Sequence, residues 1–257
     1  MLIMIIWLAS YPKSGDEIVK SLLSSYIFSM DGTFNPELLN NIKQFPDNAL
    51  FEKLGVDTNN VEEMNKNYIK AQKLYSDEKS IRFLKTHSSF AAQKDFLFTD
   101  KHNTLGVIYV VRDPRSILAS LAHDTQQTLQ QSKEIMLTNQ FLGKDSKHHC
   151  TTHLGSWKYH YNSWKTLSKF NRYCLIRYED LINDTENVFL EILKFISRMG
   201  KVKFSVDKNK FQNTLNSVDI SKIQELVEKK NPSFEKEVEV ILENELQNEM
   251  KDLKYLI

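Results

Sequence analysis

Trp7-Leu8-Ala9-Ser10-Tyr11-Pro12-Lys13-Ser14-Gly15, followed at once by Asp16–Phe28, decides the fold. An apolar run breaks into a tight Lys-Ser-Gly turn, and the turn opens a stretch with helical spacing. A turn of this kind points several backbone N–H groups at one spot and adds the positive end of a helix dipole, so it can hold a phosphate or a sulfate. Lys13 would supply a mobile charge beside it. The same residues also suit an ordinary strand-to-helix connection with a solvated lysine, because one glycine is a thin fingerprint.

Working outward, Met1–Leu8 is apolar for only eight residues and has no basic residue before it. That is too short for a membrane span and lacks the shape of a leader, so it reads as a buried parallel strand. A second strand, Ile81–Leu84, leads into Lys85-Thr86-His87, and a third, Val107–Val111, leads into Arg112-Asp113-Pro114-Arg115. A fourth, Tyr173–Arg177, ends in Tyr178-Glu179-Asp180-Leu181. Polar groups thus collect at the C-terminal ends of strands, where open α/β sheets bind ligands. Between them, 34–80 is polar and mostly helical, with Leu38, Leu39, Ile42, Met64, Tyr68 and Ala71 at helical intervals. Trp157, Tyr161 and Trp164 make an aromatic helical face suited to a core, and Thr185–Met199 gives a helix largely buried against the sheet.

These elements predict one α/β domain over 1–257: three layers, a central parallel sheet of about five strands flanked by helices. With 34 basic and 33 acidic residues the net charge is +1, which gives no broad field for nucleic acid or an anionic membrane. Any anion site must be local. Two widely spaced cysteines, Cys150 and Cys174, fit a reducing compartment, and the expectation is a soluble cytoplasmic protein.

Together the strand-end motifs resemble the nucleotide-dependent sulfotransferases, a P-loop-like fold. Tyr11-Pro12-Lys13-Ser14-Gly15 is similar to the family's 5′-phosphosulfate loop, Lys85-Thr86-His87 to its catalytic segment, and Tyr109 through Ser120 to its 3′-phosphate motif. Trp157 to Trp164 and Tyr178-Glu179-Asp180-Leu181 add two further matches. The resemblance implies 3′-phosphoadenosine 5′-phosphosulfate (PAPS) as donor and a small molecule with a hydroxyl or amine as acceptor, with no metal. It implies His87 as general base, a task suited to an imidazole titrating near neutrality. Lys13 and Lys85 would stabilise charge on the oxygens around the breaking sulfur–oxygen bond. Lys13, Ser14, Gly15, Asp16 and Glu17 would surround the phosphosulfate, Arg112 and Ser120 would hold the 3′-phosphate, and Tyr178 would lie near the adenine. Phe90, Phe96 and Phe98 could line an apolar acceptor pocket, although aromatics after a strand more often join the core.

Two departures from the family pattern stand out. Asp16-Glu17-Ile18 replaces the small polar residues and aromatic that usually follow the glycine. Acids in a first turn favour the helix dipole but oppose an anion, at a cost of roughly 4 kcal/mol for one like-charge contact near 4 Å. Second, Ser217–Ile257 contains no glycine, so the basic, glycine-containing lid over the 3′-phosphate looks shortened or absent; Lys229, Lys230 and Lys236 are the nearest candidates. These departures admit an alternative, a catalytically impaired relative that serves as a binding or scaffold protein. His148, His149, Cys150 and His153 invite a metal reading, but no acidic second shell or paired cysteine supports it. No Gly-x-Ser-x-Gly elbow suggests a hydrolase, and the full ATP-binding Gly-x-x-x-x-Gly-Lys-Ser/Thr loop is missing.

Overall fold

A computed structural model describes residues 4–75, 81–138, 141–142, 150–227 and 236–256. Five parallel strands form the central sheet: β1 (Met4–Ser10), β2 (Lys43–Gln44), β3 (Ile81–Thr86), β6 (Thr104–Val111) and β9 (Tyr173–Arg177), in the order β2-β3-β1-β6-β9. Two small antiparallel hairpins stand apart, β4 (Ala92–Gln93) with β5 (Phe96–Leu97) and β7 (Phe141–Leu142) with β8 (Thr152–His153).

Alternation along the central strands divides the core in two. Ile5, Trp7 and Ala9 of β1, with Val107, Tyr109 and Val111 of β6, face one apolar cluster; Ile6, Leu8, Ile108 and Val110 face the other. A parallel sheet with helices on both faces requires such two-sided burial, which is why these strands read as continuous apolar runs. On one face pack α1 (Asp16–Phe28), α8 (Thr185–Met199) and α9 (Lys208–Ser217). On the other lie α2 (Asn48–Lys53), α3 (Val61–Lys73), α4 (Pro114–Thr125), α5 (Leu129–Leu137), α6 (Trp157–Lys165) and the C-terminal pair α11 (Lys236–Glu245) and α12 (Gln247–Asp252). The short α7 (Tyr178–Asn183) follows β9 directly, and α10 (Ile220–Val227) follows α9.

Gly106 lets α8 lie close against β6: a Cβ there would lie 2.8 Å from the Phe195 ring. The aromatic face of α6 is buried as its spacing predicts. Phe98 takes the core alternative. It sits in the core against Trp7, Phe45, Tyr68 and Trp164, while Phe90 packs on Trp164 and Phe96 lies beneath the Lys66 ammonium, so this trio does not build an acceptor wall. The edge strand β2 falls within the span expected to be mostly helical.

Register aligns the chemistry. Ser10 pairs with Val110, Ala9 with Thr86, and Val111 with Arg177, so the segments after β1, β3, β6 and β9 leave the same edge of the sheet. From β1 the chain moves toward β3 on one side, whereas β6 and β9 lie on the other, which places a topological switch point beside β1.

Candidate active site

The turn after β1 carries two left-handed residues, Lys13 (φ 70°) and Gly15 (φ 85°), with the Ser14 N–H donating to the Tyr11 carbonyl at 3.3 Å. Alternation of this kind turns successive N–H groups inward and makes an anion-binding concavity at the start of α1. Glycine is required at position 15. A Cβ there would sit 2.3 Å from the Tyr178 ring, which lies buried beneath the turn. Ser14 is fully buried, and its hydroxyl has no hydrogen-bond partner.

Arg112 reaches this turn from the end of β6. It is 5% exposed; Nη1 donates to the Lys13 carbonyl at 3.2 Å and to Ser120 Oγ at 3.3 Å, and its guanidinium lies 4.7 Å from the centre of the Tyr178 ring. Ser120, eight residues on, is two turns along α4, which Pro114 and the Asp113 cap start at once. The residue-13 turn and Arg112 therefore occupy one face of the molecule, and Tyr178 supports both from below.

At the end of β3 lie Lys85 and His87. Lys85 Nζ is 2.7 Å from Asp16 Oδ2 and also binds Glu17, so the two acids of the first turn hold the strand lysine instead of filling the space between Lys13 and Arg112. Burial would raise the Asp16 carboxyl, but the Lys85 ammonium, His87 and hydrogen bonds from Lys85 and Ser10 outweigh it and hold it well below the usual carboxylate range. For Lys85, burial works toward the neutral amine and is overcome by Asp16 and Glu17, which keep it charged. Lys13 pairs with Asp124 at the end of α4. Both candidate lysines thus rest on carboxylates. The Lys13 pair is partly exposed and worth at most about 1 kcal/mol.

His87 Nδ1 lies 2.8 Å from the Ser10 carbonyl oxygen. A carbonyl only accepts, so Nδ1 is assigned the proton and Nε2 the free lone pair. Burial, with Lys85 adding to it, lowers the imidazole below its ordinary value, so the ring is neutral at neutral pH.

Three hydrogen bonds tie the segment after β3 to α6: His160 Nε2 donates to the His87 carbonyl (3.2 Å), Trp164 Nε1 to the Ser88 carbonyl (2.9 Å), and the Phe90 N–H to Ser163 Oγ (2.9 Å). His160 is fully buried, and burial takes its pKa down to about 3. It stays neutral, and its Nδ1 accepts from the Tyr109 hydroxyl at 2.8 Å. Sequence reasoning missed His160, Ser10 and Asp124. The only signal for His160 was its place beside Trp157, Tyr161 and Trp164 on one helical face.

Of the metal candidates, Cys150 donates to Asn48 Oδ1 (2.9 Å) and His153 Nδ1 is 2.9 Å from Ser89 Oγ. His148 and His149 lie outside the described residues, as do Lys229 and Lys230, and among the described residues no cluster of metal ligands occurs. Lys236 opens α11, with its side chain exposed.

A strand–turn–helix anion cradle at the switch point of a five-stranded parallel sheet is the architecture of a P-loop-like α/β protein. Residues 5–253 match the family described as the sulfotransferase domain, and the chain belongs to that family. Among solved structures it is similar to mouse sulfotransferase SULT7A1 complexed with PAP, at 17% identity and a TM-score of 0.50, covering 90% of this chain and 67% of that one. It is also similar to retinol dehydratase in complex with androsterone and the inactive cofactor PAP, at 14% identity and a TM-score of 0.57, covering 96% and 81%. These likenesses share the fold. A search of curated protein sequences finds no significant match.

Proposed function

We propose that this protein transfers a sulfuryl group from PAPS to the hydroxyl or amine of a small acceptor. The observation that carries the reading is the meeting of the Lys13–Gly15 turn with Arg112 and Ser120 on one side and with Lys85 and His87 on the other. The residues present fit the donor. The Ser14 hydroxyl is a buried donor with no partner, the turn at Gly15 has no room for a side chain, and the planar Arg112 fork suits a terminal phosphate.

In the reaction the acceptor oxygen or nitrogen attacks sulfur, the bond from sulfur to the phosphate oxygen breaks, and adenosine 3′,5′-bisphosphate departs. His87 Nε2 takes the acceptor's proton. Lys13 and Lys85 stabilise the oxygens that gain charge once they leave their carboxylates, an exchange that costs part of the buried Lys85–Asp16 pairing. Adenosine 3′,5′-bisphosphate at a hundred times its dissociation constant stabilises the folded state by about 2.7 kcal/mol, which raises Tm by roughly 5–10 °C in a chain of this size. Differential scanning fluorimetry checks this, with adenosine 5′-monophosphate giving the smaller shift. No shift at millimolar bisphosphate overturns the reading.

One observation favours a second reading, a binding protein without catalysis: Asp16 and Glu17 occupy the catalytic lysine. That reading expects no nucleotide binding in the parent and its appearance in Asp16→Thr/Glu17→Thr. Sulfuryl transfer expects binding in both, tighter in the variant by about tenfold or more, as removal of two like charges requires. Isothermal titration separates the two.

A further inference from the structure

We infer that the acceptor is anionic, carrying a carboxylate or a phosphate or sulfate ester, and that a basic cleft along the β2 edge of the sheet recognises it. The inference rests on the sulfuryl-transfer reading and supplies its substrate class.

The cleft measures about 530 Å³ and is lined by Lys20, Lys43, Gln44, Asp47, Lys53 and Tyr75, among others. That volume suits a small molecule. Among the described residues three lysines line it against one carboxylate, and Asp47 already accepts from the Leu50 N–H as the cap of α2. None of the three lysines has a carboxylate within ion-pair distance among the described residues. Lys66, Lys94, Lys165 and Lys194, by contrast, each hold a carboxylate. The nearest acids to Lys20 along α1 are Glu17 and Asp16, and both are engaged by Lys85. Lys20 is half-buried, and burial pulls its ammonium toward the neutral form, a cost that a bound anion would relieve. The Tyr75 hydroxyl is buried in the same wall with no hydrogen-bond partner. A smaller groove of about 260 Å³ shares Lys43 and Tyr75 and extends the basic lining to Arg82.

The cleft adjoins the reaction centre. Gln44 pairs in register with Lys85, and the Phe45 N–H donates to the Lys85 carbonyl at 2.8 Å. Lys20 follows Glu17 by three residues on α1, so it lies on the same helix face, one turn beyond the carboxylate that holds Lys85. An acceptor whose anion rests on Lys20 and Lys43 can present a nucleophile to sulfur held at Lys85 and His87.

The test uses the full chain and three phenols of similar nucleophilicity: 4-hydroxyphenylacetate, 4-hydroxyphenyl phosphate and neutral 4-ethylphenol, with labelled PAPS as donor. The expected result is a KM for at least one anionic phenol about tenfold or more below that of 4-ethylphenol, the arm with the lower value naming the anion. In Lys20→Gln/Lys43→Gln/Lys53→Gln that preference shrinks about tenfold or more, whereas Lys201→Gln, at an exposed lysine elsewhere, keeps it. Equal KM values for all three phenols, or a preference unchanged in the triple variant, overturns the inference. Failure of the sulfuryl-transfer reading shows separately, as absence of the bisphosphate-induced Tm rise. In that case saturation-transfer NMR with 4-hydroxyphenylacetate decides: a signal in the parent that is lost in the triple variant supports the anion cleft, and no signal in the parent overturns it.

Discussion

At the scale of single residues, His87 carries the sharpest expectation. Its Nδ1 proton is committed to the Ser10 carbonyl, so only Nε2 can act as base, and burial with the Lys85 charge holds the ring's pKa below the ordinary imidazole value of about 6.5. Under the proposed role as general base, the neutral form is the working form. kcat/KM should therefore fall as pH drops through that lowered value and stay level from about pH 6.5 upward. His87→Gln should lower kcat by about 10²–10⁴-fold and abolish the acid limb, which a pH–rate series reads directly. Asp16 and Glu17 pull the His87 value up, so Asp16→Thr/Glu17→Thr moves the limb further toward acid. That Lys13, Lys85, His87 and Arg112 would share one edge was legible in sequence because each lies at or just after the C-terminal end of a strand, and parallel strand ends share an edge. The partners of those groups were not. That Asp16 turns inward to Lys85 depends on β3 lying beside β1, a tertiary fact, and the first-turn acids read equally well as dipole-favouring surface charges.

At the scale of elements, the strand–turn–helix from β1 to α1 works only because α7 supports it. Tyr178 fills the space where any side chain at position 15 would project, and it also faces the Arg112 guanidinium. Gly15→Ala thus meets two obstacles, a left-handed backbone and a ring 2.3 Å away. We expect a loss of about 1–3 kcal/mol, seen as a lower Tm, together with loss of the Tm rise produced by adenosine 3′,5′-bisphosphate. A variant that keeps the full ligand response would show that the cradle tolerates a shifted backbone. The long, strongly patterned elements, β1, β6, α6 and α8, were readable from periodicity. β2 was not, since two polar residues, Lys43 and Gln44, carry no alternation, and only pairing to β3 makes them a strand. The phenylalanines after β3 were ambiguous for the opposite reason: apolar rings near a site suit a core as well as a pocket, and here Phe98 joins the ring cluster around Trp7.

At the scale of the whole molecule, strand order was beyond the reach of sequence, and so was the way the C-terminal segment closes back on the site. Arg115 joins Asp113 to Glu243 of α11 and donates to the Tyr255 carbonyl at 3.2 Å; the Tyr255 hydroxyl donates to Glu179 Oε2 at 2.8 Å, and Glu179 Oε1 accepts from the Asp113 N–H at 2.9 Å. Arg177 lies 4.7 Å from the centre of the Tyr255 ring. Asp113 is the cap of α4 and the neighbour of Arg112, so the last residues of the chain fix the loop that presents the guanidinium. Tyr255→Phe keeps the ring and removes one hydrogen bond to a carboxylate, which costs about 1.5–3 kcal/mol and roughly 3–12 °C in Tm. If the segment positions Arg112, the variant should also lose part of its discrimination between adenosine 3′,5′-bisphosphate and adenosine 5′-monophosphate, because a displaced fork affects only the ligand bearing the 3′-phosphate. Titration of both nucleotides against parent and variant measures this. A lowered Tm with unchanged discrimination would assign Tyr255 to stability alone and leave Arg112 to be placed by β6 and Tyr178.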